Sequence, residues 1–435
     1  MNRQTSKTEP GTASHGGAGA EREKRRVSGG VSRARAVEPN REDLTAYMMT
    51  RKEEPPRINI EDFRAILMSC VLSGASDVTI QSDQQPRAEI NGVLYRITRH
   101  SWSATEIDHV LTELYRGAHA QTEIKGQHVL DFSYELNLAD GSKQRFRVNA
   151  TGIFGRDGIG VEITLRVLPV TTPDMTSVGL VASEMDALTP RDGLVVIAGA
   201  TGSGKSTTMA AVTRTHLEDI ERTVKIVDVQ APIEYTFRDV RAAMSGSSSM
   251  IGQSEIGKHL RSFADGVHSA LRRKPHIINV GEARDFETIN ASLEACLTGH
   301  LVYTTTHAGS VPDTMRRLLS TFPAHERESR AYDLVSGLRF IMVQHLVRRA
   351  DRPGRLPVRE YLRFTNRVRE RLFASPMNSW PTLLLEEVRG EVEDLAYDDM
   401  RQNIVDTARS YYAQGVISRR DALHLGGREA VEEMA

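Results

Sequence analysis

Cysteine is nearly absent from this chain. Only Cys70 and Cys296 occur among 435 residues, far apart and without the spacing of metal ligands. This excludes a cysteine-based metal site, and we expect two buried thiols in a reducing cytosol.

Long apolar runs and a strong charge imbalance are also lacking. The absence of an uninterrupted apolar stretch of about 18 residues excludes a membrane-spanning helix. The polar N-terminus has no apolar core, so we expect no secretory signal. The formal net charge is −1, which gives the whole chain no electrostatic attraction to nucleic acid. With 39% hydrophobic residues, ordinary cores can form.

Composition divides the first part of the chain into a tail, a domain and a linker. Residues 1–57 are rich in Gly, Ser, Arg and Glu, with 12 basic and 8 acidic residues, and predict a disordered tail. Residues 58–168 predict helices and an antiparallel sheet, with a hairpin signal at Asn91-Gly92. Residues 169–188 predict an interdomain linker.

Strands and helices alternate from residue 189 to 373. The predicted strands span 194–198, 224–229, 277–280 and 301–304. This alternation predicts an α/β fold with a parallel, doubly wound sheet. Residues 312–347 are predicted as mostly helical, 358–364 as an edge hairpin strand, and 374–435 as a helical C-terminal extension.

The strongest motif spans residues 199–206, whose sequence fits the phosphate-loop pattern G-x-x-x-x-G-K-[ST]. A predicted strand precedes it and a predicted helix, 207–217, follows. Backbone N–H groups of such a loop surround an anion, and the helix dipole assists. Lys205 is expected to reach the β- and γ-phosphates, and Ser206 to bind Mg²⁺. A chance glycine-rich turn is the alternative. The predicted nucleotide-binding residues are Gly199, Ala200, Thr201, Gly202, Ser203, Gly204, Lys205, Ser206 and Thr207.

A second nucleotide signal is Gly281-Glu282, at the end of predicted strand 277–280. A carboxylate at the C-terminal end of a strand, beside a phosphate loop, can polarise an attacking water. Ordinary phosphate-loop proteins carry an Asp for Mg²⁺ one or two positions earlier, where this chain has Gly281. We therefore predict that Glu282 is catalytic, and a solvated strand-end acid is the alternative.

These motifs and their neighbours resemble the secretion-ATPase superfamily, which includes the pilus-retraction ATPase PilT and the traffic ATPases of type IV secretion. The resemblance covers about residues 60–370. Its segments are Arg272-Arg273-Lys274-Pro275, Gly281-Glu282-Ala283-Arg284-Asp285, Thr298-Gly299-His300 and Thr304-Thr305-Thr306-His307. The Gly-Glu-Ala-Arg-Asp variant is most similar to the DotB/TraJ branch, which serves type IVB secretion and IncI-like plasmid conjugation.

The resemblance implies further site residues. The acidic box of the family corresponds to residues 230–234, in which Glu234 matches a family acid but Gln230 replaces an expected carboxylate. An amide cannot take a proton or neutralise Mg²⁺, so either turnover is slowed or Glu234 and Glu282 suffice. His307 lies in the His box of the family and is expected to sense the γ-phosphate or the next subunit. A purely structural role stays open for Glu234 and for His307. For His300, both a functional and a structural role stay open.

Arginines of the first domain complete the predicted site. Residues 145–149, Arg-Phe-Arg-Val-Asn, and 165–167, Leu-Arg-Val, resemble family segments whose arginines reach ATP. A guanidinium can bind two phosphate oxygens at once. We predict catalytic roles for Arg147 and Arg166 and leave Arg145 and Arg156 open. A solvated strand face is the alternative.

Together, the resemblance implies a RecA-like ATPase domain preceded by a PAS-like α+β domain, with ATP and Mg²⁺ as cofactors. It further implies a cytoplasmic homohexamer, recruited to the inner membrane only through partners. These partners would be a type IV secretion or conjugation complex that includes another ATPase. Direct sequence-specific binding of nucleic acid is not expected, since no basic, aromatic-interleaved patch is visible. The alternatives are a pilus-retraction ATPase and a structural ring subunit that barely hydrolyses ATP.

Overall fold

The computed structural model describes residues 55–431, except 91–92, 118, 139–140, 157, 244–246 and 393–399. The predicted disordered tail lies outside the described residues up to residue 54. The described residues form two β-sheets, and each sheet packs against its own apolar core.

The first domain is a six-stranded antiparallel sheet with three helices. Its first helix begins at a capping box, in which Asn59 and Asp62 bind each other's backbone N–H groups. Its elements are α1 (Ile60–Leu72), β1 (Asp77–Gln81), β2 (Arg87–Ile90), β3 (Val93–Arg96), α2 (Ala104–Tyr115), α3 (Ala120–Lys125), β4 (Leu130–Asn137), β5 (Lys143–Gly155) and β6 (Gly158–Val167). The strand order is β3-β2-β1-β6-β5-β4.

Side chains along β5 alternate between the core of the first domain and the opposite face of its sheet. Phe146 and Val148 are completely buried in the core of the first domain. Arg145 and Arg147 lie on the opposite face. At the far end of the strand, Phe154 is 98% exposed.

The second domain contains an eight-stranded sheet with helices on both faces. Its elements up to the last core strand are α4 (Ala182–Leu188), β7 (Gly193–Ala198), α5 (Lys205–Glu218), β8 (Lys225–Gln230), α6 (Arg238–Ala243), β9 (Met250–Glu255), α7 (Phe263–Leu271), β10 (Ile277–Val280), α8 (Phe286–Leu297), β11 (Leu301–Thr306), α9 (Val311–Ser320), α10 (Arg327–Gly337) and β12 (Leu338–Arg348). The remaining elements are β13 (Arg355–Arg363), α11 (Asn366–Phe373), α12 (Trp380–Arg389), β14 (Arg401–Gln402), α13 (Ile404–Ala413) and α14 (Arg419–Gly426).

The strand order of this sheet is β14-β13-β12-β7-β11-β10-β8-β9. The six strands from β12 to β9 run parallel, and β13 and β14 are antiparallel additions. Along β7, Leu194 and Val196 face one apolar core while Val195 and Ile197 face the other. The predicted parallel, doubly wound sheet is thus confirmed, because both faces of its central strand are covered.

The prediction that residues 312–347 are mostly helical is wrong in its last third. Helices α9 and α10 occupy the first part, but β12 follows and pairs with β7 and β13. Phe340, Ile341 and Met342 are completely buried. A strand buried on both faces shows an uninterrupted apolar run, which sequence periodicity does not distinguish from a buried helix.

The segments on either side of the predicted ATPase domain also contact its sheet. Helix α4 falls within the predicted linker, and its Met185 and Leu188 belong to the same core cluster as Val195 of β7. In the predicted C-terminal extension, β14 pairs with β13. Within the described residues, none of the helices has the length and apolar character needed to cross a bilayer.

Candidate nucleotide-binding site

The loop between β7 and α5 has a backbone that requires glycine. Gly199 has φ 147° and Gly204 has φ 86°, values that side chains rarely permit. A Cβ at Gly199 would lie 2.3 Å from the carbonyl oxygen of Gln344. Gly204 is the N-cap of α5, so the positive end of the helix dipole lies at the loop. The backbone therefore suits an anionic phosphate.

Gln344 of β12 supports the loop from behind. Its Nε2 donates to the Ser203 carbonyl oxygen at 2.6 Å, and its Oε1 accepts from Thr208 Oγ1 at 3.0 Å. Arg359 Nε also donates to this Oε1, at 2.9 Å. No sequence motif marks Gln344 or Arg359, because each lies far along the chain from the loop. The exposed tip of the loop consists of Ala200, Thr201 and Gly202.

Lys205 points its ammonium group into the loop. Its Nζ donates to the carbonyl oxygens of Gly199 and Ala200, both at 2.9 Å. Burial lowers the pKa of Lys205, and the negative charges of Glu282 and Glu234 act in the opposite direction. The buried ammonium group of Lys205 thus interacts with the charges of two carboxylates, and a phosphate group bound in the loop would contact this ammonium group.

Glu282 lies between two side chains at the C-terminal edge of the sheet. Its Oε2 is 2.6 Å from Arg284 Nη2, and its Oε1 is 3.2 Å from His307 Nε2. Oε1 is buried and makes no hydrogen bond of good geometry within the described part of the chain. Burial and the charge of Lys205 lower the pKa of His307, so its imidazole is neutral near pH 7. This carboxylate oxygen is therefore available to a water molecule.

Ser206 and Glu234 line a small cavity between α5 and the end of β8, together with Asp228 and Gln230. Its volume is about 20 Å³, room for roughly one water molecule. All four side chains offer oxygen atoms, the donors that Mg²⁺ prefers. No group of three or more His, Cys, Asp or Glu in the described ranges could hold a metal alone. The site thus suits Mg²⁺ that keeps water and phosphate ligands.

Two further residues of interest in the second domain lie in different places: Thr207 lies at the site, and His300 lies at the opposite edge of the sheet. Thr207 Oγ1 is 3.1 Å from the Tyr235 hydroxyl, which links α5 to the acidic box. His300 precedes β11 while His307 follows it. A strand of this length spans roughly 20 Å, so His300 lies at the other edge of the sheet. There its Nδ1 is 3.1 Å from the Ala295 carbonyl oxygen.

Arg147 lies in the first domain, and its charge interacts with the charges of Glu234 and Glu282. Its Nε and Nη2 donate to the two carboxylate oxygens of Asp131, at 3.2 and 2.7 Å. Asp131 raises the pKa of Arg147, and Glu234 and Glu282 add to this effect. The charges of Arg147 and of both predicted catalytic carboxylates therefore interact across the domain boundary, although the direct partner of Arg147 is Asp131.

Arg166 is the neighbour of Arg147 on the adjacent strand but has a different environment. The two residues are directly paired between β5 and β6. Arg166 Nε donates to Asp77 Oδ1 at 2.9 Å, and its side chain is 60% exposed. Arg156 is exposed after the end of β5. The structure thus brings the charge of Arg147 near those of Glu234 and Glu282, whereas Arg166 is bound to Asp77 and Arg156 is exposed.

Arg145 joins the two domains instead of facing a ligand. Its Nη1 donates to the Ile233 carbonyl oxygen at 2.5 Å, and its Nη2 is 3.8 Å from Glu255 Oε2. Glu255 also accepts a hydrogen bond from Ser133 of β4 at 2.9 Å. No local pattern in the sequence marks Glu255, although it fixes the first domain next to the acidic box.

Comparison with known proteins identifies related sequences over most of the chain. Residues 53–413 match the family model described as Type II/IV secretion system protein. The "Twitching motility protein" of Neisseria gonorrhoeae is 34% identical over 280 residues, which cover 64% of this chain and 69% of that protein.

Two solved structures are similar to this chain over most of its length. The X-ray structure of the Legionella pneumophila ATPase DotB is 37% identical, with a TM-score of 0.72, over 85% of this chain and 96% of that one. The crystal structure of the pilus retraction motor PilT with bound ADP is 27% identical, with a TM-score of 0.69, over 85% of this chain and 97% of that one.

Proposed function

The chain belongs to the Type II/IV secretion system protein family, and from this premise we propose a homohexameric motor that hydrolyses Mg²⁺-ATP. It is an ATPase of the secretion and pilus kind with a nucleotide-binding site. In our proposal, the energy of hydrolysis powers a type IVB secretion or plasmid conjugation apparatus.

One observation carries the catalytic part of this proposal: Glu282 keeps a buried oxygen without a hydrogen bond among the described residues. The charge of Glu282 also interacts with that of Lys205. The cation and loop N–H groups would hold the γ-phosphate. The carboxylate would face the water that attacks it. Phosphoryl transfer depends mainly on such positioning and on charge stabilisation.

The phosphate loop and Lys205 would bind the phosphates of ATP, with Ser206 and Glu234 holding Mg²⁺ directly or through water. When bound, Mg²⁺ neutralises charge on the β- and γ-phosphate oxygens. Lys205 would exchange its contacts with the Gly199 and Ala200 carbonyl oxygens for phosphate oxygens. This exchange is favourable because a charged acceptor forms stronger hydrogen bonds than a neutral carbonyl.

Glu282 would orient the attacking water and accept its proton. The neutral imidazole of His307, which is next to Glu282, would donate a hydrogen bond to a phosphate oxygen or to this water. Arg147 would leave Asp131 and bind the γ-phosphate as the domains close. We propose the same role for Arg166 on condition that closure of the two domains breaks its hydrogen bond to Asp77.

The assembly and its setting follow from the relatives. We propose a six-membered ring on the cytoplasmic face of the inner membrane, docked to a secretion or conjugation complex that contains another ATPase. The 37% identity to the ATPase DotB, against 27% to the PilT motor, supports secretion or conjugation as the process. Membrane contact would occur through partners, without sequence-specific binding of nucleic acid.

Pilus retraction is the second candidate, favoured by the 34% identity to the twitching motility protein. A ring subunit that binds ATP and barely hydrolyses it is the third, favoured by Gln230 in place of a carboxylate. The pilus motor would drive a different process from the one proposed. The ring subunit would hydrolyse ATP much more slowly than the proposed motor.

Phosphate release by the purified full-length chain tests the enzymatic part. We expect Mg²⁺-dependent hydrolysis and a hexamer by light scattering. Lys205→Ala should lose affinity for a fluorescent ATP analogue, while Lys125→Ala, at an exposed lysine on α3, should bind as the wild type does. Unchanged affinity of Lys205→Ala would refute the phosphate-loop assignment, and negligible hydrolysis by wild type would favour the ring subunit.

Deletion of the gene in the native host tests the process. We expect loss of substrate transfer through the secretion or conjugation apparatus, and restoration by the wild-type gene but not by Glu282→Gln. Loss of twitching with unchanged substrate transfer would instead establish pilus retraction.

A further inference from the structure

Asp228 is a buried carboxylate next to the proposed Mg²⁺ site, and none of the roles assigned above uses it. It is 2% exposed and lies two residues before Gln230 on β8, so both side chains lie on the same face of the strand. Both line the cavity that Ser206 and Glu234 share. A carboxylate is thus present in the cavity although residue 230 itself is an amide.

Two glutamine amides hold the Asp228 carboxylate. Gln230 Nε2 donates to Oδ1 at 2.7 Å, and Gln253 Nε2 donates to Oδ2 at 2.8 Å. Gln253 Nε2 also donates to the Tyr235 carbonyl oxygen, which can only accept, so this amide orientation is fixed independently. Burial raises the pKa of Asp228 above its usual value, although the side-chain amides of Gln230, Gln253 and Asn279 act to lower it.

The contact with Asp228 decides which end of the Gln230 amide points away. The NH₂ group of Gln230 donates to Asp228, so its Oε1 faces the other way. Oε1 lies beside Gly281, and a Cβ built there would be only 2.5 Å from it. The oxygen of Gln230 therefore occupies the space at the end of β10 that a side chain at position 281 would fill.

We propose that Asp228 is the positioning residue that replaces the carboxylate missing at positions 230 and 281. It supplies a buried carboxyl group and holds the Gln230 carbonyl oxygen as the acceptor for Mg²⁺ or its water. The inference rests on the proposed binding of Mg²⁺-nucleotide. It also explains how a site with Gln230 retains a carboxyl group in addition to Glu234 and Glu282.

The test measures the affinity of the full-length protein for a fluorescent ADP analogue as free Mg²⁺ is varied. Asp228→Asn should raise the Mg²⁺ concentration at half-effect by about tenfold or more, the usual effect of losing a residue that orients a metal ligand. Asp228→Asn combined with Gln230→Glu exchanges the carboxylate and the amide, and should restore the wild-type Mg²⁺ dependence. Asp186→Asn, at an exposed aspartate on α4, is the charge-matched control.

A wild-type Mg²⁺ midpoint in Asp228→Asn, or a double variant as impaired as the single one, would overturn the inference. Gln230→Met removes the carbonyl oxygen at similar side-chain size, so it tests the same point if Asp228→Asn does not fold. It should also raise the Mg²⁺ concentration at half-effect, and a wild-type midpoint would contradict us. Failure of the wild-type protein to bind the analogue at any Mg²⁺ concentration would refute the proposed function itself, and the inference with it.

Discussion

Arg145 of the first domain donates a hydrogen bond to the carbonyl oxygen of Ile233, the residue before Glu234. The same guanidinium is 3.8 Å from the buried carboxylate of Glu255. The acidic box is therefore bonded directly to a strand of the first domain, and the position of that domain depends on the position of the box.

Arg145→Met should destabilise the protein by about 3–5 kcal/mol, because it leaves the buried Glu255 carboxylate without its cation. The free energy of unfolding in urea measures this effect. Arg156→Met, at an exposed arginine after the same strand, should change stability by less than about 0.5 kcal/mol. Equal effects in the two variants would contradict the role of Arg145 as an interdomain contact.

Glu282→Gln should retain nucleotide binding and lower turnover by about 10²–10⁴-fold, the usual contribution of a positioned base. The amide has nearly the same size but cannot accept the proton of the attacking water. Phosphate release and the amount of nucleotide retained on the purified protein are the measurements. Turnover at the wild-type rate would shift the catalytic role to Glu234.

Arg147→Ala should lower turnover at saturating ATP by roughly 10³-fold or more, as for arginines that stabilise phosphoryl transfer. Arg147→Lys should not restore it, because an ammonium group cannot bind two oxygens in parallel. For Arg166→Ala we expect a smaller loss, since Asp77 already binds Arg166. Wild-type turnover in both alanine variants would show that these arginines form a solvated strand face.

Asp239 should hold the predicted interdomain linker against the second domain in a pH-dependent way. It accepts hydrogen bonds from the Thr172 N–H and hydroxyl, at 2.8 and 2.7 Å. Burial alone would raise the pKa of Asp239, but these hydrogen bonds outweigh burial and lower it. A lowered folded-state pKa means that the stabilisation is complete above the unfolded pKa of about 4 and is lost as the pH falls through the folded value.

Asp239→Asn should therefore lower the urea midpoint at pH 7, with a loss of about 1 kcal/mol. The difference from wild type should persist at pH 5 and shrink below about pH 4. Asp186→Asn controls for the loss of one surface charge. A difference independent of pH would show that the Asp239 charge has no part in the contact.

Much of the architecture could be predicted from local sequence patterns. The phosphate loop needs glycines at fixed spacing, and the apolar stretch before it forms β7, as the buried pattern of residues 194–198 indicates. The Asn91-Gly92 signal predicted the antiparallel pairing of β2 with β3, which is confirmed. These features are short-range, so a few consecutive residues determine them.

The features that the sequence did not predict depend on distant partners. Strand β9 contains polar residues, and its pairing with β8 places Gln253 beside Asp228, 25 residues away. Gln344 supports the phosphate loop from 141 residues away. No local period encodes such contacts, so the supporting residues of the site could be identified only from the fold. The roles of Glu234, Glu282, His307, Arg147 and Arg166 stay predictions until the variants are measured.

Because β5 is long, a rotation of the first domain about the contact at Arg145 would move the far end of the strand much more than the end at Arg145. Phe154 lies nine positions beyond Arg145, and an extended strand covers about 3.4 Å per residue, so the distance along the strand is roughly 30 Å. A rotation of about 10° about this contact would then carry the exposed ring of Phe154 through about 5 Å. A small rotation of the first domain at its contact with the acidic box would thus correspond, at Phe154, to a displacement of about the distance between two neighbouring strands.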